Sequence, residues 1–574
     1  VILTARDQHY SIAQGGNLSV NAAEGVMSND DLTEGAYSEL LTEPEHGVVT
    51  FNADGSFVYT ATGAVGVDQF TYRLTDGVSS DEATVTISIH PTATTGSNGF
   101  TPIVPSEDSL IIYVSSTDGD DSNDCLNPES PCETTAAGAR KMREGYPDHM
   151  YLKRGDVWRQ DGLSGIPSGR SIDEPAVVAF YGESGPRPRL ENYSVSILGR
   201  RRYMTEDDPQ WQGGDGGRKI FLSYVHIIGL EFYNYRLDPN HPEFTGGNAS
   251  ATINMIDDYD YILFEDNKFN FAKVNAHKFG GFEQTYLTFR RNIWNGYYVN
   301  TSSYTQDPRP SNIYAGVDGL QMIENVVDHG GWHPTVKGAG ANMYNHNIYL
   351  QGGNDGKDIV LRGNIITRGS SHGAQMRSGG VAENNFFGRN AISLLIGYKD
   401  PVMFDGVAAH AINNVVSEGH SMIKGHDACN YNNACSRALM GIDLSLSGGN
   451  ADWQAHDNII SKLAADDNAW RDMWDARHEA TWEERYQLSI TSLTEDDAIY
   501  STDNIIWKWN LSPGEPEHSY PDPERTLADY NAHLGGARSF DAFMQVVLNR
   551  PLQTWDERYS AYAINDFIRE GFGR

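Results

Sequence analysis

KDIVLRGNIITRGSSHGAQMRSGGVAENNFF, residues Lys357 to Phe387, decides the fold, because it holds one complete repeat of a pattern that recurs along the chain. Its first part, KDIVLRGN (Lys357 to Asn364), alternates polar and apolar residues and stops at an Asn followed by two apolar residues. Alternation of period two is the mark of a strand with one face buried. The Asn ending returns at Asn267 (DNKF), Asn292 (RNIW), Asn325 (ENVV), Asn364 (GNII), Asn385 (NNFF), Asn414 (NNVV), Asn458 (DNII) and Asn504 (DNII), at separations of 21 to 46 residues, with Lys268 in place of the first apolar residue in the DNKF copy. Strands such as DYILFEDN (Asp260 to Asn267) and TYLTFRRN (Thr285 to Asn292) lead into it. An Asn takes a left-handed conformation more readily than most residues, and its amide can hydrogen-bond to an equivalent Asn one repeat away. Stacked asparagines then fix the register of successive coils. The fold class is therefore all-β: a right-handed parallel β-helix, running from Ser109 to about Asn510 and assigned to residues 109–514. Propeller and leucine-rich repeats are excluded, because their periods are nearly constant. Variable spacing means loops inserted on one side, where solenoids carry function.

The rest of the chain frames this body. Residues 1–90 form a separate all-β module with strands GSFVYTA (Gly55 to Ala61), DQFTYRLTD (Asp68 to Asp76) and EATVTISI (Glu82 to Ile89) between turn signals. The segments GVMSNDD (Gly25 to Asp31) and EPEHGVVTFNADGSFVYTATGAVGVDQFTYRLTDG (Glu43 to Gly77) resemble the cadherin-like, immunoglobulin-type repeats of bacterial surface and secreted proteins. The resemblance implies a β-sandwich used as spacer, adhesive or accessory domain. Some such repeats bind calcium, so Ca2+ is the one cofactor considered; Asn29, Asp30, Asp31, Asp68 and Asp76 offer oxygen ligands, against the plainer reading of solvated turn carboxylates. Pro91 to Asp108 reads as a Pro/Gly/Ser-rich linker. The segment LIIYVSSTDGDDSNDCLNPESPCETTAAGARKM (Leu110 to Met142) resembles the opening of many extracellular β-helices, with a first strand, an acidic loop and a short capping helix. Asp467 to Tyr486, with Trp470 and Trp474 one turn apart, reads as a helix packed on the coils. Residues 515–574 read as a helical cap on the last coil that hides an open sheet edge.

Composition narrows the function. With 43 Lys and Arg against 77 Asp and Glu, the net charge of −34 repels nucleic acid and anionic membranes. No run of about 20 apolar residues spans a bilayer, and the chain opens without a basic-then-apolar leader, so any export signal was removed or lies outside these residues. The four cysteines form two close pairs, Cys125 with Cys132 and Cys429 with Cys435, neither at zinc-binding spacing. Two short-loop disulfides in an oxidising compartment fit better, which predicts a secreted or cell-surface monomer. An anionic polysaccharide meets the same repulsion as nucleic acid, so its binding site must gather cations locally.

Such a cluster emerges when HNIYLQ (His346 to Gln351) is laid over HGAQMR (His372 to Arg377), with AISLLIG (Ala391 to Gly397) on the next coil. Ile348 and Leu350 then stack inside on Ala374 and Met376. Tyr349 and Gln351 face outward beside Gln375 and Arg377, and His346 superposes on His372. The loop HGGWHPTVKG (His329 to Gly338) brings Trp332, His333 and Lys337 over the same face, and Arg362 is a candidate rim contact on the preceding side. Hydrolysis of a glycosidic bond calls for two carboxylates flanking it, and none of the outward positions on these three strands is acidic. β-Elimination from a uronic acid needs a cation for the carboxylate, a base for the C5 proton and an acid for the leaving oxygen. The expected roles are Arg377 and Gln375 on the carboxylate, His372 or His346 as base, and Tyr349 or Lys337 as acid. Gln351, His333, Trp332 and Arg362 would complete substrate binding.

In fold and residue style the region resembles the right-handed β-helix polysaccharide lyases, among them alginate lyases and chondroitinase B-like enzymes. No diagnostic motif of any one family is intact, and no metal ligand is assigned on these strands. The bland reading makes the histidines ladder residues, Tyr349 a cover for the sheet and Arg377 a surface partner of Glu383. Two rival functions stay open: an endo-acting glycoside hydrolase using carboxylates such as Asp257, Asp258, Asp318, Glu324 and Asp328, and a non-catalytic glycan-binding adhesin.

Overall fold

A computed structural model describes residues 3–13, 15–22, 25–62, 66–90, 99–191, 195–199, 201–203, 218–246, 253–255, 258–277, 284–300, 310–341, 344–351, 358–397, 408–420, 440–445, 452–463, 488–490, 499–507 and 525–574. The body is a solenoid of three parallel sheets with, among the described residues, eleven, ten and thirteen strands. Sheet 1 holds the short strands that follow the repeated Asn, from Val157–Arg159 to Ile505–Trp507. Sheet 2 comes next in each coil, from Leu163–Ile166 to Leu488–Ile490, and sheet 3 closes the coil, from Ile111–Val114 to Ile499–Thr502. One pair departs from the pattern: Arg201–Tyr203 runs antiparallel to its neighbour on sheet 3.

The Asn ladder is present without a break from Asn267 to Asn504. Asn325 is representative: its side-chain amide donates to Asn364 Oδ1 at 2.9 Å and to the Phe289 carbonyl at 2.9 Å, while its own Oδ1 accepts the Asn292 backbone N–H. Each ladder residue thus satisfies buried backbone groups of two coils, which is why this position is fixed while loop lengths vary. The left-handed residue is not the Asn, as expected from the sequence, but the one before it. Asp266, Arg291, Glu324, Gly363, Asn384, Asn413, Asp457 and Asp503 have φ between 53° and 64°. That residue turns the chain outward, which leaves the Asn side chain pointing into the coil to meet its neighbours.

The interior of the solenoid is one continuous apolar core, with aromatic stacks such as Phe269 on Trp294 at 4.5 Å between ring centres. The C-terminal helices Leu527–His533, Phe540–Leu548 and Ala561–Gly571 do not cap the last coil; they lie along the flank of sheet 1. They cover Ile293, Val326, Ile365, Phe386, Val415, Ile459 and Ile505, the outward residue directly after seven of the eight ladder asparagines; Asn267 is followed by Lys268 instead. The physical reason is in the motif itself. Two consecutive apolar residues in a strand point to opposite faces, so one enters the core and the other must be covered from outside. The cover is clamped by charge: buried Asp266 accepts from Arg187 at 2.9 Å and from Arg550 at 3.3 Å, 284 residues away, and Trp555 lies over Arg291.

Residues 3–90 form a sandwich of a four-stranded and a three-stranded sheet. The linker expectation holds only in part, because 99–108 is bound to the solenoid rather than free. Arg290 and Arg291 both donate to the Gly99 carbonyl, the Thr101 N–H donates to buried Glu265 at 2.8 Å, and Phe100 is buried with the Arg291 guanidinium over its ring. Cys125 and Cys132 form a disulfide. Cys429, Cys435, Trp470, Trp474 and Asp257 lie outside the described residues.

Candidate functional site

Sheet 2 brings the sequence-predicted residues into the expected register. His346 pairs with His372, Ile348 with Ala374, Tyr349 with Gln375 and Leu350 with Met376. The interior members are fully buried, and alternation therefore points Tyr349 and Gln375 outward. Arg377 Nη1 donates to the Tyr349 hydroxyl at 2.8 Å, and that hydroxyl donates to Gln351 Oε1 at 2.9 Å. Four of the predicted residues thus form one hydrogen-bonded or adjacent group on two coils. Glu383 is not the partner of Arg377; it pairs with Arg362.

The histidines lie beneath this group. The His346 ring is parallel to the Tyr349 ring at 4.8 Å and packs on His372 at 4.5 Å, and both imidazoles are nearly closed off, 4% and 6% exposed. The Ser371 hydroxyl spends its single proton on the Asn345 carbonyl, so its contact with His372 Nδ1 at 2.8 Å requires that nitrogen to carry the hydrogen. Burial pushes the His372 pKa down to about 3, which keeps the ring neutral at ordinary pH and makes it a weak base.

The loop residues divide. Trp332 is buried against Ala341 of its own loop and against Ala391, Ile392 and Leu395 two coils on, and donates from Nε1 to the Arg368 carbonyl at 2.8 Å. His333 packs its ring on Tyr298 at 4.8 Å and accepts the Val336 N–H, and Lys337 is exposed. Arg362 sits on sheet 3, away from the group on sheet 2. Of the neighbouring carboxylates, Asp328 is fully buried and held by Arg368 and His329, with its pKa well below the usual range.

Sequence reasoning missed Tyr314, whose ring stacks on Tyr349 at 5.4 Å one coil earlier, with the Lys273 ammonium 5.4 Å from its centre. The signal was the tripeptide NIY, which occurs at Asn312 to Tyr314 and again at Asn347 to Tyr349. Beyond it the outward row continues through Asn275, which donates to Asn254 at 2.7 Å. Asp443 also escaped notice; it enters the row two coils beyond Gln375, opposite Leu395. A cavity of about 850 Å³ lies elsewhere, on sheet 3.

For calcium, the oxygen atoms proposed in the sandwich are taken by protein donors. Asp30 accepts from Arg6 N and Tyr72, Asp31 pairs with Arg6, Asp68 accepts from Glu45 N, His46 N and Tyr59, and Asp76 accepts from Thr33, Val78 N and Ser79 N. Among the described residues no group of three His, Cys, Asp or Glu side chains is placed to hold a metal ion.

Residues 3–91 match the model of the bacterial cadherin-like domain, in line with the resemblance seen in the sequence. A search of curated proteins gave no match. Among solved structures, the chain is similar to a GH136 lacto-N-biosidase from Eubacterium ramulus in its native form, at 14% identity over 69% of this chain and 67% of that one, with a TM-score of 0.33. The selenomethionine derivative of that protein gives the same identity and shares with a TM-score of 0.29. Similarity at that level carries no argument about activity; what the comparisons do fix is that this β-helix follows a bacterial cadherin-like domain.

Proposed function

We propose that this chain is a secreted polysaccharide lyase that cleaves a uronic-acid-containing polysaccharide by β-elimination on sheet 2. The observation that carries the proposal is the Arg377–Tyr349–Gln351 chain of hydrogen bonds beside Gln375, a fixed cation and a fixed hydroxyl on an outward face. Arg377 and Gln375 bind the C6 carboxylate, and the withdrawn charge loosens the C5 proton. His346, closed off beneath the Tyr349 ring in the free chain, takes that proton once substrate binding shifts this ring aside; the C4–O4 bond breaks as the C4–C5 double bond forms, and Tyr349 protonates the departing oxygen. His372, neutral and tied to Ser371, holds His346 in place. Tyr314, Asn275 and Asn254 extend the row for neighbouring sugars. The disulfide and the cadherin-like module support an extracellular setting.

Asp443 favours a second reading, a glycoside hydrolase, since one carboxylate stands in the row about 10 Å from Gln375 by the strand spacing. Alginate, pectate, glycosaminoglycans and bacterial exopolysaccharides, assayed together for ultraviolet absorbance of an unsaturated uronate and for reducing ends, separate the readings. Elimination gives both signals and survives Asp443→Asn. Reducing ends without absorbance, abolished by Asp443→Asn, would establish hydrolysis instead. Binding with neither signal would leave an adhesin.

A further inference from the structure

A cavity of about 850 Å³ lies away from sheet 2, between the outer face of sheet 3, the bound linker and the edge of the sandwich at Ile12 and Leu18. We propose that this groove is a second carbohydrate site, which holds an uncharged stretch of glycan along the solenoid axis.

Register places His226, Leu263, Thr288 and Gln321 on four successive coils, all on the outward side of sheet 3. Strand spacing sets them about 14 Å apart from end to end. Among the described residues no protein group hydrogen-bonds to the side chains of His226, Thr288 or Gln321. They form a line of unspent donors and acceptors, interrupted by one apolar side chain. Tyr261 and Tyr286 line the same groove with parallel rings 4.5 Å apart. Hydroxyls alternating with C–H faces are what a sugar chain presents, and such a lining matches both.

The charge of the lining selects an uncharged ligand. Arg290 is paired with Glu265 at 3.0 Å, Glu174 with Arg170 at 2.9 Å, and Arg362 with Glu383, so no cation is left over for a carboxylate or sulfate. Burial pushes the His226 pKa down to about 4, which keeps that ring neutral as well. On sheet 2, by contrast, the guanidinium of Arg377 donates to the Tyr349 hydroxyl on the outward face. The wall contributed by the sandwich gives that module a role in closing the groove, and the clamped linker keeps it there.

Titration calorimetry on the full chain with cellohexaose, xylohexaose and mannohexaose, beside an alginate hexamer as the charged comparison, tests this. At least one neutral hexasaccharide binds, and Leu263→Trp, which fills the groove, weakens it tenfold or more. Tyr349→Phe on sheet 2 leaves that affinity unchanged. Gln321→Ala, a smaller change that preserves packing, weakens it threefold or more and carries the test if the Trp variant does not fold. Failure of all three neutral sugars to bind at millimolar concentration, or equal affinity in the wild type and both groove variants, overturns the proposal. Neither result bears on elimination at sheet 2, which is read by absorbance.

Discussion

Tyr349 is the residue on which the proposed chemistry turns, because its oxygen both accepts from Arg377 and donates to Gln351. Tyr349→Phe removes the proton donor while keeping the ring stacked between Tyr314 and His346. Its kcat on the best uronate substrate is expected to fall about 10²- to 10⁴-fold with KM nearly unchanged. Arg377→Ala is expected to raise KM as well, since it also removes the partner of the carboxylate. A second expectation concerns protons and stability. His149 and His372 have folded pKa values lowered by burial to about 4 and about 3, against about 6.5 when unfolded. The neutral rings therefore stabilise the fold fully above pH 6.5, and this contribution is lost as pH falls through the window from 6.5 toward 4 and 3. Each group costs up to about 1.4 kcal/mol per pH unit there. Urea midpoints measured at pH 7 and pH 5 should differ less in His372→Gln than in the wild type; an equal difference would remove His372 from the account. The register of His346 over His372 was legible because alternation and the Asn turn together leave one alignment. Their burial was not, since it depends on Tyr349 and neighbouring turns folding over them, which no local pattern encodes.

At the scale of elements, the ladder sets how coils stack. Asn325→Ala leaves the Phe289 carbonyl and the Asn292 N–H without partners in a dry interior. The expected loss is about 2 to 4 kcal/mol, measured by urea denaturation, whereas the same change at an exposed position such as Asn240 should cost almost nothing. The eight Asn turns were readable because their chemistry is local and repeated. The side taken by the helices was written in the same tetrapeptides, in the apolar residue directly after the Asn, but reading it requires asking what covers an outward Ile or Phe. The bound state of residues 99–108 had no such signal: a Pro- and Gly-rich composition is neutral between a free tether and a segment pinned by Glu265, Arg290 and Arg291.

For the whole molecule, sheet 1 and the C-terminal helices form a second apolar core, separate from the solenoid interior. Seven outward side chains at roughly 1.5 to 3 kcal/mol each make this cover worth about 10 to 20 kcal/mol before entropy is subtracted. Truncation before Arg525 should therefore give a protein that aggregates and binds a hydrophobic dye, detected by light scattering and dye fluorescence; a soluble monomer with wild-type melting would contradict the role given to the helices. Asp266→Asn, which strands Arg187 and Arg550, should destabilise by about 3 to 5 kcal/mol and expose the helices to protease first.

The position of that cover in the chain has a consequence for biosynthesis. The apolar strip is made by residues 293 to 505, and the segment that hides it leaves the ribosome only afterwards. A coil that closed as soon as it was translated would display a greasy flank to every neighbouring nascent chain for the time needed to make the remainder. Delayed coiling, with the polypeptide held extended until its last helices are available, avoids that hazard, and export as an unfolded thread, where the proposed secretion holds, would supply such a delay.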